Sequence, residues 1–484
     1  VNYSGTNIVT AEWIESINVS HGTNENAELN IQGDEGGTLS VTSTEDAILT
    51  TGNININGAG SVNATSTGFD AINAGGDLAI KGSGNVNATG ASDGIRANGN
   101  ITIDDSGAVT ARATKDKGIG ADKNLTIKGG GTVEASSADG EALWSGGNIN
   151  ISDGSQVKAS SEKDAAVEAK GSLAATNASL NVNGVEYGVY AHKGITLDHA
   201  NVTVRASKGR YGGANALFTY QDDIVVKNGS TVDAFAEGEV SAAFSTRNDR
   251  PNEKGGHIYI SDSVVKAIAR YVESGSDGPD HYSNDQSGEV IPEHRGMNLG
   301  IFAQTYEGIT PATISIVRSK VTAEGDTAAI FALAISADGK AIGTIEIEGA
   351  IIQTPAGGKI IDYRYEEEYS RGISYEAGQT IGTGDAVVDS PYNEAVAKST
   401  VIAPSEEAKP EANPEEATPV VKPAKQQTLV TGAKAEPAEA KKNLPATGDA
   451  SPVGLAATAF AGVAAAFASL AALLAGFVAR RKRE

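Results

Sequence analysis

The chain has 484 residues and a formal net charge of −23, with 58 glycines, one methionine and no cysteine. No cysteine means no disulfides and no thiolate metal sites. The excess of acid argues against nucleic acid or an anionic lipid surface as the main partner, because like charges repel.

The sequence opens at Val1 with no initiator methionine and no charged-then-apolar leader. It reads as a mature or trimmed form whose export signal lies upstream. "AEWIESINVS", with Trp13, is expected to cap the amino-terminal end of the fold.

Beyond this segment the chain repeats itself. Apolar-x-apolar pairs occur at Ile54/Ile56, Leu78/Ile80, Ile101/Ile103, Leu125/Ile127 and Ile149/Ile151, and less cleanly at Leu173/Ala175, Ile195/Leu197 and Ile224/Val226. The steps are 24, 23, 24, 24, 24, 22 and 29 residues. Eight residues after each of the first five pairs comes a second pair, such as Val62/Ala64 and Val109/Ala111. Six residues before each pair lies a third column: Ile48, Ile72, Ile95, Ile119, Leu143, Val167, Val189, Phe218. Alternating runs read as strands, and Gly, Asn, Asp and Ser between them read as turns. One three-strand unit cannot bury its apolar face alone, but stacked units do. An antiparallel sandwich would instead show hairpin pairs. The expected fold is therefore all-β: a right-handed parallel β-helix of ~24-residue, three-strand coils. Against this background "GGDLAIKGSG" is no phosphate loop, and the sequons at Asn63, Asn87, Asn100 and Asn124 are by-products of Asn at turns.

Regularity fades after about Arg205. An irregular insert is expected at about 237–310, with coil-like strands returning at Ile258/Ile260, Ile314/Ile316, Val321/Ala323, Ile330/Ala332 and Ile345/Ile347, an end cap near 362–381, and the β-helix as a whole over 1–389. The insert carries Asp277, Asp280, His281, Asp285, Glu289, His294 and Arg295, whose acids miss the spacing of a calcium loop. Residues 390–443, rich in Pro, Ala, Glu and Lys, are expected to be a disordered wall-spanning linker. "LPATGD" then precedes an uncharged apolar run over 453–479, long enough for a membrane-crossing helix, and "RRKRE".

Motif, span and basic tail together resemble the cell-wall sorting signal of Gram-positive bacteria, here 444–484. The resemblance implies a sortase substrate, with Leu444, Pro445, Ala446, Thr447 and Gly448 as the recognition motif, cleavage between Thr447 and Gly448, and transfer of the Thr447 carboxyl to peptidoglycan. It implies a secreted, wall-anchored protein that meets the membrane only transiently, through its carboxy-terminal helix.

Two further columns bear on ligands. Two residues before the third apolar column stand Asp46, Asp70, Asp93, Lys117 and Glu141. Stacked about 4.8 Å apart, the acids are either solvated corner residues or carboxylates bridged by calcium. One residue after that column stand Arg96, Trp144, Glu168 and Tyr190, expected to face outward as an aromatic and polar platform for sugar rings. The phrases "DGIRANGNITI", "DAINAGGDLAI" and "YGVYAHKGITL" resemble a family of bacterial carbohydrate-binding β-helix domains over roughly 25–205. That resemblance implies calcium as the candidate cofactor and an acidic or cellulosic polysaccharide as ligand. The expected function is a wall-displayed adhesin or carbohydrate-binding module. The alternatives are a pectate-lyase-like polysaccharide lyase or hydrolase, and a protein-binding adhesin or stalk; no catalytic constellation is recognised.

Overall fold

The computed structural model describes residues 1–11, 16–19, 27–209, 213–248, 255–272, 298–306, 312–335, 343–365, 368–373 and 397–405, without side chains over 361–373. Trp13, the acids and histidines of 277–295, the linker beyond 405, the sorting motif and the apolar run lie outside them.

Alternation in the sequence becomes three sheets. Along one coil, Ile95–Ala97 belongs to the third sheet, Ile101–Asp104 to the first and Ala108–Ala113 to the second. Each strand pairs in parallel with its copy one coil away, so that Leu78, Ile101, Leu125 and Ile149 form one column. Val86, Val109, Val133 and Val157 form another, and Ile72, Ile95, Ile119 and Leu143 a third. Among the described residues the sheets hold 13, 14 and 14 strands. Ile54, Ile72, Ile95, Ile101, Ile119 and Leu125 are fully buried in one continuous core. Each such side chain contributes about 1.5–3 kcal/mol by leaving water.

A second regularity sits at the corner between the first and second sheets. The residue two after the inner pair has positive φ in coil after coil: Gly58, Gly82, Asp105, Gly129, Asp153, Asn177, His199, Asn228, Asp262, Arg318 and Gly349. A left-handed bend is needed there each time, which is why Gly, Asn and Asp dominate the position. Gly82→Ala, at φ 92° and with its new Cβ 2.6 Å from the Gly58 carbonyl oxygen, is expected to cost at least about 1–2 kcal/mol. A lowered midpoint in urea checks this; an unchanged midpoint contradicts it.

Three expectations need correction. First, the third column does not pass through Phe218. Val189 pairs with Leu217, and Tyr190 with Phe218. An extra residue between Thr219 and Ile224 breaks the fixed six-residue offset. Second, the interval 237–310 is not one insert. Val240–Asn248, Ile258–Ser261, Val264–Tyr271 and Asn298–Tyr306 continue the third, first, second and third sheets in turn. The inward positions of the two third-sheet strands include buried Ser241, Thr246, Asn298 and Thr305, which hides the apolar alternation there. Third, the linker does not begin at 390. Ser399–Pro404 is a strand, antiparallel to both Lys320–Gly325 and Ala350–Thr354. Ala397, Thr400 and Ile402 face inward, with exposures of 1%, 0% and 0%. This strand covers an edge of the second sheet that would otherwise be open. The third sheet is closed likewise, where Glu368–Ile373 runs antiparallel to Ala328–Ile335 and pairs with Ile360–Tyr365. That hairpin overlaps the range 362–381, of which 374–381 lie outside the described residues.

Candidate functional site

The aspartate column forms as the register demands, but its carboxylates are already engaged. Asp46 Oδ1 accepts the Asp70 N–H at 2.9 Å, Asp70 Oδ1 the Asp93 N–H at 2.9 Å, and Asp93 Oδ1 the Lys117 N–H at 2.6 Å. Each acid thus satisfies the corner amide of the next coil, which has no partner in the parallel ladder. The second oxygens have partners too. The Asn73 amide donates to Asp46 Oδ2 and Asp70 Oδ2, and Arg96 Nη1 lies 3.5 Å from Asp93 Oδ2. Gly94, in the "DGI" phrase, is where two corners touch: a Cβ there would lie 2.7 Å from the Gly118 carbonyl oxygen. Asp93 is 1% exposed. Burial, reinforced by Asp70 and Asp116 against the opposing Lys117 N–H and ammonium, pushes its carboxyl up to about 6. Calcium does not fit this column, whose oxygens face donors. Among the described residues no group of three or more His, Asp or Glu side chains is placed to hold a metal ion.

Glu141 turns instead toward Glu168. Burial and the Glu168 carboxylate hold Glu141 protonated well above the ordinary glutamate range, and the two carboxyls share a hydrogen bond. Glu168, 7% exposed, stays ionised despite its burial because His192, Glu141 and Lys170 all stabilise the anion. His192 Nε2 lies 3.0 Å from Glu168 Oε1, and Lys170 Nζ contacts the same oxygen.

The expected aromatic platform is therefore not open. Tyr190 is 7% exposed. Its ring stacks on Tyr187 at 4.9 Å and on His192 at 4.5 Å, and packs against Phe218 at 5.3 Å. Trp144 is half-buried, with the Lys117 ammonium 5.3 Å from its ring centroid. Arg96 is held by Asp122, with Nη2 3.2 Å from both carboxylate oxygens, as well as by Asp93. The structure brings Glu141, Trp144, Glu168 and Tyr190 to one face of the third sheet, but as a self-satisfied cluster.

The first sheet offers a different surface, which reading the sequence alone misses. Immediately before the first inward residue of six successive first-sheet strands stand Asn53, Asp77, Asn100, Asn124, Asn148 and then Ser172. Here too each Oδ1 accepts the next coil's N–H: Asn53 to Asp77 at 2.8 Å, Asp77 to Asn100 at 2.7 Å, Asn100 to Asn124 at 3.2 Å, Asn124 to Asn148 at 2.9 Å and Asn148 to Ser172 at 2.9 Å. Farther along, His257 Nδ1 accepts the Thr313 N–H at 3.1 Å in the same role. The signal is present as Asn or Asp at steps of 24, 23, 24 and 24 residues. Beside this ladder the outward column is small or polar, with Asn55, Ala79, Thr102, Thr126 and Asn150. Ladder and column together line an open trough of about 590 Å³ over five coils.

Residues 436–484 match the LPXTG cell wall anchor motif family. The chain is a wall-anchored surface protein. The motif marks it as secreted, processed by sortase and attached to the peptidoglycan of a Gram-positive bacterium. No curated protein and no solved structure matches the chain.

Proposed function

We propose that the solenoid is a carbohydrate-binding adhesin module, displayed from the wall, and that its glycan lies on the first sheet. The observation that carries this reading is the trough of side-chain amides and hydroxyls running over five successive coils. Amides and hydroxyls donate and accept at once, as a polyhydroxylated ligand requires. On the third-sheet face Tyr190 is buried among aromatic rings, which leaves it no open face on which to stack a sugar.

The reading is of binding, not catalysis. Carboxyls that cleave a glycosidic bond stand about 5–9.5 Å apart with the sugar between them. Glu141 and Glu168 are instead hydrogen-bonded to each other, with no room for a sugar between them. Purified full-length protein on a glycan array, with insoluble polysaccharides assayed in parallel, tests the reading. Retention of a defined set of glycans is expected, with no release of reducing or unsaturated ends. Retention of none would leave the protein-binding adhesin or stalk; release of such ends would point to the lyase or hydrolase.

A further inference from the structure

We infer that His257 is a pH-sensitive latch: neutral, it ties the start of Thr313–Val317 to the coil before it, and on taking up a proton it lets that corner open. The inference stands apart from the glycan-binding reading above. Geometry carries it. His257 occupies the ladder position of the first sheet, immediately before the inward Ile258, as Asp223 precedes Ile224 and Thr313 precedes Ile314. It is a link on both sides. Its own N–H donates to Asp223 Oδ1 at 3.0 Å, and its ring Nδ1 accepts the Thr313 N–H at 3.1 Å. Three successive first-sheet strands are thus joined through one residue.

The acceptor sets this corner apart. Asn53, Asn100, Asn124 and Asn148 accept through an amide oxygen, which does not titrate. An imidazole nitrogen accepts only while it carries no proton. The Thr313 N–H therefore selects the neutral ring with its proton on Nε2. A proton added at Nδ1 sets donor against donor, beside a side chain that is only 9% exposed. The backbone here is able to respond. Gly255 and Gly256 precede the histidine at φ 131° and 80°, and a Cβ on Gly255 would lie 2.3 Å from the Gln221 carbonyl oxygen. Two successive glycines give this corner a freedom that other residues lack. Thr246 Oγ1, donating to the Gly256 carbonyl at 2.8 Å, holds the closed bend.

The groups around the ring set the direction of the switch. Burial disfavours the imidazolium and lowers His257 from its ordinary value, against the opposing pull of the Asp223 carboxylate. Asp222, next in the chain to Asp223, raises that carboxylate in turn. The Tyr259 ring lies 5.8 Å away, and its phenol, raised by burial, Asp223 and Glu346, stays neutral. The strand Thr313–Val317 holds no charged side chain. The folded state therefore binds the histidine proton less tightly than the unfolded chain does. The latch is closed above the ordinary histidine range and opens as pH falls through it and below.

Hydrogen exchange of the full-length protein tests the latch, read by mass spectrometry over peptides that contain Thr313 and corrected for the intrinsic rate. Protection of the Thr313 N–H is expected to fall about tenfold or more between about pH 7 and about pH 5, the cost of a corner N–H left facing a donor. The Asn148 N–H, whose acceptor is the Asn124 amide oxygen, is expected to keep its protection over the same range. His257→Asn, which installs the residue that the ladder uses elsewhere, is expected to keep Thr313 protected throughout. A second measurement needs no variant: the ring nitrogen shifts are expected to show the neutral Nε2–H form at about pH 7. Unchanged protection of Thr313, an equal loss in His257→Asn, or an imidazolium already present at about pH 7 overturns the latch.

Discussion

Protein carrying Thr447→Ala is expected to be absent from purified cell wall after boiling in detergent, and to be found in the membrane and medium instead. The unaltered chain is expected to stay with the wall until the peptidoglycan is digested. The effect is all-or-none because the bond to the wall is the one made through the Thr447 carboxyl. The apolar run over 453–479 is long enough to hold the chain in a membrane while the motif is cut, at ~1.5 Å of rise per residue. Once cut, the membrane no longer retains it. Immunoblots of wall, membrane and medium measure the partition, and Thr447→Ala protein still covalently linked to wall would contradict the assignment.

The second large effect is on stability against pH. Asp93 has its carboxyl pushed up to about 6 by burial, and Glu186 is pushed up to about 7, by burial and then by Asp164. Burial also raises Asp70 and Asp164, and Glu141 is held protonated beside Glu168. For all of these the folded state binds protons more tightly than the unfolded state. Their contribution is fully present below the ordinary carboxylate range. It is lost as pH rises through about 6 for Asp93 and about 7 for Glu186. Glu168, Asp233 and Asp262 are shifted the other way. Their contribution is present above the ordinary range and is lost as pH falls below it. The melting temperature is therefore expected to peak in mild acid, near about pH 5, and to fall toward about pH 8 and toward about pH 3. Asp93→Asn keeps an oxygen for the Lys117 N–H and removes the buried charge. At about pH 8 it is expected to stabilise the protein by about 1–3 kcal/mol and to flatten the alkaline limb. Melting curves across that range check this; a melting temperature that rises steadily with pH to the alkaline end would contradict it.

The solenoid is legible in the sequence because two periods coincide in it. Within a strand the inward residues alternate, and between coils the same Ile, Val or Ala returns after about 24 residues. The left-handed corner at Gly58, Gly82 and Asp105 keeps that step nearly constant by demanding the same turn residues. Where the corner changes by one residue, as between Thr219 and Ile224, a fixed offset puts Phe218 inward in place of Leu217. Ser399–Pro404 is lost among Pro- and Glu-rich neighbours because a composition window averages over a short strand.

The site is less legible, for a related reason. An Asn or Asp at a turn already has a local explanation, so its recurrence does not stand out as a ladder. Only the register shows Asn124 capping the Asn148 N–H, or Asp93 that of Lys117. Likewise Tyr190 reads as an outward residue from alternation alone. Its burial comes from Tyr187, His192 and Phe218, which stack on it within and across coils. Asp70 and Asp93 look like calcium ligands as a list of acids, and stop looking so once their donors are known.

The most direct measurement is a crystal structure of the protein with an oligosaccharide of a glycan that it retains on the array. Sugar density is expected along the first sheet, beside Asn55, Thr102, Thr126 and Asn150. Density on the third-sheet face, around Trp144 and Glu168, would contradict the first-sheet assignment.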